Sequence, residues 1–404
     1  MQMYQNFLKN LYLCVVIAKK MKKIVVAFDS FKGSLSSAEA AKAFIAGVRS
    51  VDRAVECRVV SIADGGEGMA EAIVEGVGGV MVTAMAHDPL GREIETSYGI
   101  IHGGTTAIIP ISSASGITLL APEERNPLYA TTCGTGELLL DAVRRGCRKI
   151  VVGLGGSATN DGGTGLLRAL GYKFIDANGI ELTDTIDILE RVDRVMPPKN
   201  SALQGVEVSV AVDVDNPLCG ERGATYIYGA QKGANEAMLK RLDTAMHHYA
   251  SVVAEWRGED ISNRAGMGAA GGAGFAFGAL LDAMPISGIE LVLSIVDFDT
   301  IIADTSLVVT GEGRIDRQTV MGKAPAGVLR HAKRAGVPCV AVGGGVEWCD
   351  ELRESDFDAI YATTPEGMPI VEAMKKEVAT ANLQRVATSV IKEFFFERPT
   401  LLKP

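Results

Sequence analysis

The residues best suited to chemistry lie in one glycine-rich stretch, "GLGGSATNDGG", which begins at Gly153. The apolar run Ile150–Val152 precedes it and predicts a buried strand that ends in a loop. Because glycine has no side chain, the backbone N–H groups of such a loop can approach an anion closely. The pattern therefore predicts a phosphate-binding loop. Its predicted ligand-binding residues are Gly155, Gly156, Ser157, Thr159 and Asn160.

The same stretch allows a second interpretation, a dinucleotide-binding loop. Residues Gly153–Ala158 satisfy the pattern GxGxxA, and Asp176 follows at the distance expected for a ribose contact. That interpretation requires a helix directly after the pattern, where Asn, Asp and two glycines stand instead, and each glycine costs about 1 kcal/mol in a helix. We therefore expect the next helix to begin only at Gly163 or Thr164. A simple turn that lets neighbouring elements pack closely is the third alternative.

Two aspartates, Asp213 and Asp215, follow a second strand-like run in the stretch "VEVSVAVDVDNPLCG". Side chains two residues apart on an extended segment point to the same side. Mg²⁺ commonly binds one or two carboxylates together with the phosphates of a substrate. We therefore predict a magnesium site at these two residues. The alternative is an ordinary turn, because Asp, Asn and Pro are all common in turns.

Further charged side chains recur in loops that follow predicted parallel strands. The stretches "DSFKGS", "ADGGEG" and "TGEGRID" each combine acidic residues with basic residues or glycine. In open α/β sheets, ligands bind beyond the carboxyl ends of the strands. Each loop taken alone is better explained by turns and helix caps. Their recurrence predicts one wall of a cleft, in which Lys232 in "GAQKGA" and Lys323 in "MGKAP" are further candidate cations unless they are exposed surface lysines.

The order of predicted elements indicates an α/β protein with two domains. Strand and helix patterns alternate up to about residue 79 and again from about residue 290, as in a doubly wound parallel sheet. Three consecutive strand-like runs follow residue 79, and they predict a different sheet. We therefore predict a flavodoxin-like domain formed by residues 21–79 and 290–397. The prediction adds an α/β domain with a mixed sheet at residues 80–289, and a disordered N-terminal extension at residues 1–20.

Composition restricts the classes of partner. The net charge of −9 argues against nucleic-acid binding, since no basic surplus is present to neutralise phosphates. The seven cysteines show no CxxC spacing, and together with the size of the chain they favour reduced thiols in a cytoplasmic enzyme over disulfides or a zinc site. No apolar run reaches the roughly 20 residues that span a bilayer, so we expect no membrane partner. The sequence does not determine the oligomeric state, and a homodimer is one possibility.

Taken together, the motifs resemble the bacterial glycerate kinase family. The matching pieces are "DSFKGSLS", "ADGGEG", "GTGEL", "GLGGSATNDGG", "DVDNPLCG", "QKGA", "GAAGG" and "VVTGEGRID", in that order along the chain. The resemblance implies a flavodoxin-like domain and a second α/β domain. It also implies ATP and Mg²⁺, with D-glycerate as the substrate and 2-phosphoglycerate as the usual product. Formation of 3-phosphoglycerate, a hydroxy-acid oxidoreductase that uses NAD, and a non-catalytic anion-binding module are the alternatives.

Phosphoryl transfer requires positioned reactants and neutralised charge, which assigns roles to the candidate residues. The glycine-rich loop and Lys232 would hold phosphates, and Asp213, Asp215 and Glu312 would bind the metal ion. A cation must meet the carboxylate of the substrate, and Lys32 and Arg314 are the candidates. An acceptor must take the proton of the attacking hydroxyl group. The candidate acceptors, among which the sequence does not decide, are Asp64, Asp161 and Asp316.

Overall fold

The computed structural model describes residues 22–31, 33–60, 62, 68–283 and 285–397. Its strands, in chain order, are β1 (Lys23–Phe28), β2 (Glu56–Val59), β3 (Gly79–His87), β4 (Glu93–Ile101), β5 (Thr106–Pro110), β6 (Lys149–Gly153), β7 (Lys173–Asp176), β8 (Glu181–Leu182), β9 (Val192–Met196), β10 (Glu207–Ala211), β11 (Pro285–Ile286), β12 (Leu307–Ile315), β13 (Cys339–Val346) and β14 (Ala359–Ala362).

The α-helices, in chain order, are α1 (Ser37–Val51), α2 (Met69–Val77), α3 (Ser112–Ser115), α4 (Cys133–Arg144), α5 (Thr164–Ala169), α6 (Thr185–Arg191), α7 (Ala224–Tyr228), α8 (Glu236–Arg257), α9 (Ala269–Leu280), α10 (Gly288–Ile295), α11 (Phe298–Ile302), α12 (Arg317–Val320), α13 (Ala324–Arg334), α14 (Asp350–Arg353), α15 (Ile370–Ala373) and α16 (Lys376–Lys392). Short 3-10 turns lie at His102–Gly104, Ile117–Leu119, Pro122–Glu124 and Ala230–Lys232, and a π-helical turn lies at Glu393–Glu397.

The first of two compact units contains the described residues up to Ile62 and those from Leu293 onward. Its five strands are all parallel and lie in the order β14-β13-β12-β1-β2. If the five strands of this unit are numbered 1 to 5 in chain order and read from the β2 edge, the order is 2-1-3-4-5, which is that of a flavodoxin-like sheet. The prediction of a doubly wound parallel sheet assembled from both ends of the chain is therefore confirmed.

Local sequence signals explain how this first unit begins. The strand β1 is fully buried apart from its first residue, as expected for a parallel strand covered on both faces. The helix α1 begins with the predicted capping box, in which Ser36 and Glu39 each accept a hydrogen bond from the other's backbone N–H. The helices α1 and α16 pack against each other over one face of the sheet, and their apolar side chains complete its core.

The second unit, Ala63–Val292, contains a six-stranded mixed sheet in the order β11-β10-β6-β5-β4-β3. The strands β11, β10, β6 and β5 are parallel, whereas β4 and β3 form the predicted antiparallel meander. A separate antiparallel sheet has the order β8-β7-β9. The prediction of a second α/β domain with a mixed sheet is confirmed.

The boundary between the two units differs from the predicted one. The helix α2 was predicted to belong to the first domain, but it lies in the second unit, which begins at Ala63. The reason is packing, because α2 lies against β3, β4 and β5, with the Val74 side chain directly over Gly99 of β4. Residues 1–20, the predicted extension, lie outside the described residues. In the part of the chain that is described, no helix has the length and apolar character needed to cross a membrane.

Candidate active site

The glycine-rich loop and the paired aspartates lie at the same edge of the six-stranded sheet. The strands β6 and β10 are parallel neighbours, and Gly153 at the end of β6 pairs with Ala211 at the end of β10. The predicted phosphate loop continues from the first of these residues, and Asp213 follows the second. Because parallel strands end at the same edge, Gly155 and Asp213 extend from adjacent positions, as a shared binding site requires.

The first part of the loop presents free backbone amides. Among the described residues, none accepts a hydrogen bond from the N–H groups of Gly155–Ser157. Gly156 has a left-handed φ of 76°, and alternation of right- and left-handed residues is the geometry of backbone anion nests. The loop is nevertheless held in place, because the N–H of Ala158 donates to the carbonyl of Ser115 at 2.8 Å. The amides are therefore positioned for an anion.

Lys232 brings a positive charge to this loop from the 3-10 turn that precedes α8. Its side chain is 2% exposed, and Nζ donates hydrogen bonds to Ser157 Oγ at 3.0 Å and to the carbonyl of Thr159 at 2.6 Å. Burial lowers the pKa of Lys232 to about 7, while the charge of Asp161 acts in the opposite direction. A nearby anion would favour the protonated form, so this lysine is suited to binding phosphate.

Asp161 organises the end of the loop. It is fully buried, and its Oδ2 accepts hydrogen bonds from the N–H and the hydroxyl group of Thr132, both at 2.8 Å, and from the N–H of Gly165 at 3.2 Å. Its Oδ1 accepts a hydrogen bond from the N–H of Gly163 at 3.0 Å. Burial raises the pKa of Asp161, and these hydrogen bonds oppose that shift. This carboxylate connects the start of α4 to the start of α5.

Two further loop residues are buried with unused polar atoms. Asn160 Nδ2 donates to Thr225 Oγ1 at 2.9 Å, which fixes the amide orientation. Asn160 Oδ1 and Thr159 Oγ1 have no hydrogen-bond partner within the described part of the chain. Buried polar atoms in folded proteins are nearly always paired, so these two atoms are available to hydrogen-bond a ligand or ordered water.

An unusual backbone turn at the start of α9 packs against the glycine-rich loop. At the start of α9, three consecutive residues, Ala270–Gly272, have left-handed φ angles of 51°, 66° and 91°. The carbonyl of Gly271 accepts a hydrogen bond from the N–H of Gly162 at 2.9 Å. A Cβ atom at Gly271 would lie 2.0 Å from the carbonyl oxygen of Thr159. This position therefore requires glycine for both its backbone angle and the closeness of the loop.

We expect Gly271→Ala to destabilise the protein by at least about 2 kcal/mol, since it combines left-handed strain with a steric overlap. The measurement is the free energy of unfolding from urea titration. The matched control is Gly179→Ala, where φ is 81° and no atom lies within 4 Å of the added Cβ, so only the backbone strain of about 1 kcal/mol applies. Equal effects of the two substitutions would show that the loop does not press against Gly271.

The predicted metal ligands on this sheet are both exposed. Asp213 Oδ1 accepts a hydrogen bond from the N–H of Gly288, the first residue of α10, at 3.1 Å. Asp215 lies near Arg222, with 3.5 Å between its Oδ2 and the guanidinium nitrogen. Exposed carboxylate oxygens are suitable ligands for Mg²⁺, and the assignment of these residues to a metal stays a prediction.

In the first unit, β12 carries two of the predicted residues, Glu312 and Arg314. Glu312 is 8% exposed and accepts a hydrogen bond from Thr319 Oγ1 at 2.8 Å, with Lys323 Nζ 3.6 Å from its other oxygen. Burial raises the pKa of Glu312, while Thr319 and Lys323 oppose the shift. Arg314 is exposed and contacts the Glu347 carboxylate. The structure thus brings Glu312 and Lys323 together and leaves Arg314 at the surface.

Three predicted site residues remain, Asp316, Lys32 and Asp64. Asp316 acts as the N-cap of α12, where its carboxylate accepts a hydrogen bond from the N–H of Gln318 at 2.8 Å. Lys32 and Asp64 lie outside the described residues. The helix after the glycine-rich loop begins at Thr164, as predicted, and not at the position that a dinucleotide-binding loop requires.

Comparison with known proteins identifies the family. The model of the glycerate kinase family matches residues 24–394, which is most of the chain. The chain belongs to the glycerate kinase family. This membership agrees with the resemblance of the motifs, and it replaces the oxidoreductase and binding-module interpretations of the sequence.

Curated members of the glycerate kinase family cover nearly the same region. A protein named glycerate 2-kinase from Escherichia coli K12 is 43% identical over 344 residues, which is 84% of this chain and 90% of that protein. A glycerate kinase from Halalkalibacterium halodurans is 41% identical over 358 residues, 88% of this chain and 94% of that protein.

A solved structure shows the same fold. It comes from Salmonella typhimurium LT2 and is described as a candidate glycerate kinase 2. Its TM-score with this chain is 0.82 at 37% sequence identity, and the match covers 94% of this chain and 99% of the other.

Two threonines of this glycerate kinase family member were not identified from the sequence. Thr132 contributes two of the hydrogen bonds to Asp161, and Thr225 holds the Asn160 amide. Thr132 directly precedes the "CGTGEL" stretch at the start of α4, and this position was the available signal. Thr225 lies 65 residues from its partner, so only the folded chain reveals the contact.

Proposed function

We propose that this protein is a glycerate kinase that transfers the γ-phosphoryl group of ATP to D-glycerate, giving 2-phosphoglycerate and ADP. The observation that supports the proposal most is the parallel pairing of β6 and β10, because the amide loop, which contacts Lys232, and Asp213 follow the paired ends of these two strands. The naming of the Escherichia coli relative as a glycerate 2-kinase supports 2-phosphoglycerate as the product. Phosphorylation of the 3-hydroxyl group is the alternative outcome.

The residues of the loop fit a phosphate group. The free amides of Gly155–Ser157, the ammonium group of Lys232 and the unpartnered Thr159 hydroxyl provide donors, which phosphate oxygens require. Mg²⁺ would be held by the oxygen atoms of Asp213 and Asp215, and when bound it would supply charge neutralisation on the phosphates.

The remaining roles concern the substrate. Asp161 already accepts four hydrogen bonds, so we assign it to positioning the loop, and we retain Asp64 and Asp316 as candidate proton acceptors. Lys32 and Arg314 remain the candidate cations for the substrate carboxylate. Glu312, whose carboxylate forms an ion pair with Lys323, remains a candidate metal ligand.

A coupled assay of glycerate-dependent ADP release tests the proposal. Turnover with D-glycerate and ATP is the expected result, and phosphorus NMR of the product distinguishes 2-phosphoglycerate from 3-phosphoglycerate. Absence of ADP release with D-glycerate at millimolar concentration would overturn the proposed function. Release of the 3-phospho product would correct only the position of transfer.

We expect Asp213→Ala to reduce kcat about a hundredfold and to raise the Mg²⁺ concentration needed for half-maximal rate, because charge stabilisation of the phosphates is lost. The measurement is a magnesium titration of the coupled assay. Asp193→Ala, which removes an exposed carboxylate on β9, is the matched control and should leave both quantities unchanged. If Asp213→Ala retains more than a tenth of the rate at the same Mg²⁺ requirement, Asp213 is not a metal ligand.

A further inference from the structure

Arg125, a half-buried residue, has a side-chain nitrogen for which the described residues supply no acceptor. Its Nε atom is fully buried without a hydrogen-bond partner, and the side chain forms no ion pair with any residue that the structure describes. The adjacent Glu124 does not supply one, because its carboxylate contacts Arg92 at 2.7 Å and caps the N–H of Ala121. A guanidinium group carries five donors and remains charged at all physiological pH values. A buried donor of this kind requires an acceptor from elsewhere.

The segment that carries Arg125 is attached to the phosphate loop on both sides. Before Arg125, the N–H of Ile117 donates to the carbonyl of Gly156 at 2.9 Å. After it, Thr132 donates two hydrogen bonds to Asp161. The segment that carries Arg125 is therefore tied at both of its ends to the glycine-rich loop.

A third contact places the Arg125 backbone next to Lys232. A Cβ atom added to Gly233, the residue after Lys232, would lie 2.2 Å from the carbonyl oxygen of Arg125 and 3.0 Å from its Cβ. Lys232 in turn reaches Ser157 and Thr159 with its ammonium group. Arg125 and Lys232 thus lie on adjoining segments, and among the described residues neither side chain forms an ion pair with a carboxylate.

We propose that Arg125 binds an oxyanion group of a reactant, which the planar guanidinium fork can contact with two parallel hydrogen bonds. The inference rests on the proposed function for the identity of the reactants. The chemistry is shared by the phosphates of ATP and the carboxylate of glycerate. Arg125 is then a substrate-binding residue in a stretch, "PEERNPLY", to which the sequence motifs assign no role.

Calorimetric titration of Arg125→Met tests this proposal, with a non-hydrolysable ATP analogue and D-glycerate titrated separately in the presence of Mg²⁺. We expect the Kd of one of the two ligands to rise at least about tenfold, because a charged hydrogen bond is lost. The ligand that weakens identifies the source of the oxyanion. Arg144→Met, at an exposed arginine near the end of α4, is the matched control and should leave both Kd values unchanged.

Arg125→Lys covers the case in which the methionine variant does not fold. It keeps the charge but loses the fork, so we expect a smaller rise of the same Kd, about threefold or more. If both Kd values stay within about twofold of wild type in the folded variant, the role of Arg125 is overturned. If wild-type protein binds both ligands without releasing ADP, the proposed function fails, while the titrations still decide the role of Arg125.

Discussion

Lys232→Met will lower kcat/KM for ATP by about 10²–10³-fold, the largest effect that we expect from a single substitution in this protein. Methionine keeps the apolar stem of the side chain but removes the ammonium group that reaches Ser157 and the Thr159 carbonyl. The loop then retains its amides without their buried positive charge. The measurement is steady-state kinetics with ATP varied at saturating glycerate.

The matched control for this substitution is Lys240→Met, which removes an exposed lysine from α8. We expect its kinetics to equal those of wild type. A Lys232→Met enzyme that retains more than a tenth of the wild-type kcat/KM would exclude Lys232 from phosphate binding, provided that the variant melts cooperatively.

The lowered pKa of Lys232 also predicts that the stability of the protein depends on pH. Its pKa is about 7 in the folded protein and about 10.5 when exposed, so the unfolded chain binds more protons between these values. This group therefore contributes stability that increases as pH rises from about 7 to 10, with a slope of at most about 1.4 kcal/mol per pH unit. The measurement is the difference in free energy of unfolding between wild type and Lys232→Met. A difference that stays constant over this range would contradict the lowered pKa.

Asp161→Asn will lower the free energy of unfolding by about 2–4 kcal/mol, the second large effect that we expect. The native carboxylate accepts hydrogen bonds from three backbone N–H groups and from the Thr132 hydroxyl. An amide offers one acceptor oxygen and directs an NH₂ group at a donor, which leaves at least one buried N–H unsatisfied. Since Asp161 connects the starts of α4 and α5, the glycine-rich loop should lose its order as well.

The measurement is urea unfolding at pH 7, together with the coupled assay. Asp193→Asn, the same chemical change at an exposed position, is the control and should shift stability by less than about 0.5 kcal/mol. If Asp161→Asn is as stable as wild type but inactive, the aspartate acts on the reaction directly, and our assignment of a positioning role is incorrect.

Local signals in the sequence were sufficient for most of the elements. The capping box at Ser36 and Glu39 fixed the start of α1, and the apolar runs before each glycine-rich loop predicted β1, β6 and β12. The parallel first sheet and the mixed second sheet followed from the order of these elements. Such signals are readable because they depend on residues within one turn or one strand of each other.

The position of the domain boundary was harder to predict from the sequence. The helix α2 follows a strand of the first unit in the chain, but its assignment to the second unit depends on contacts with β3 to β5, which come after it. A pattern of apolar residues reports that a face is buried, but it does not report which surface covers that face.

The sequence by itself determined the chemistry that this protein offers: a glycine-rich loop of amides, carboxylates placed two residues apart, and motifs in the order of one enzyme family. Only the tertiary structure decided how these residues are used. It showed that Asp161 is saturated by hydrogen bonds, that Lys232 is buried against Ser157, and that Arg125 Nε has no acceptor among the described residues. The reason is physical, because burial and hydrogen-bond pairing arise from contacts between residues far apart in the chain, and the residue types alone do not specify them.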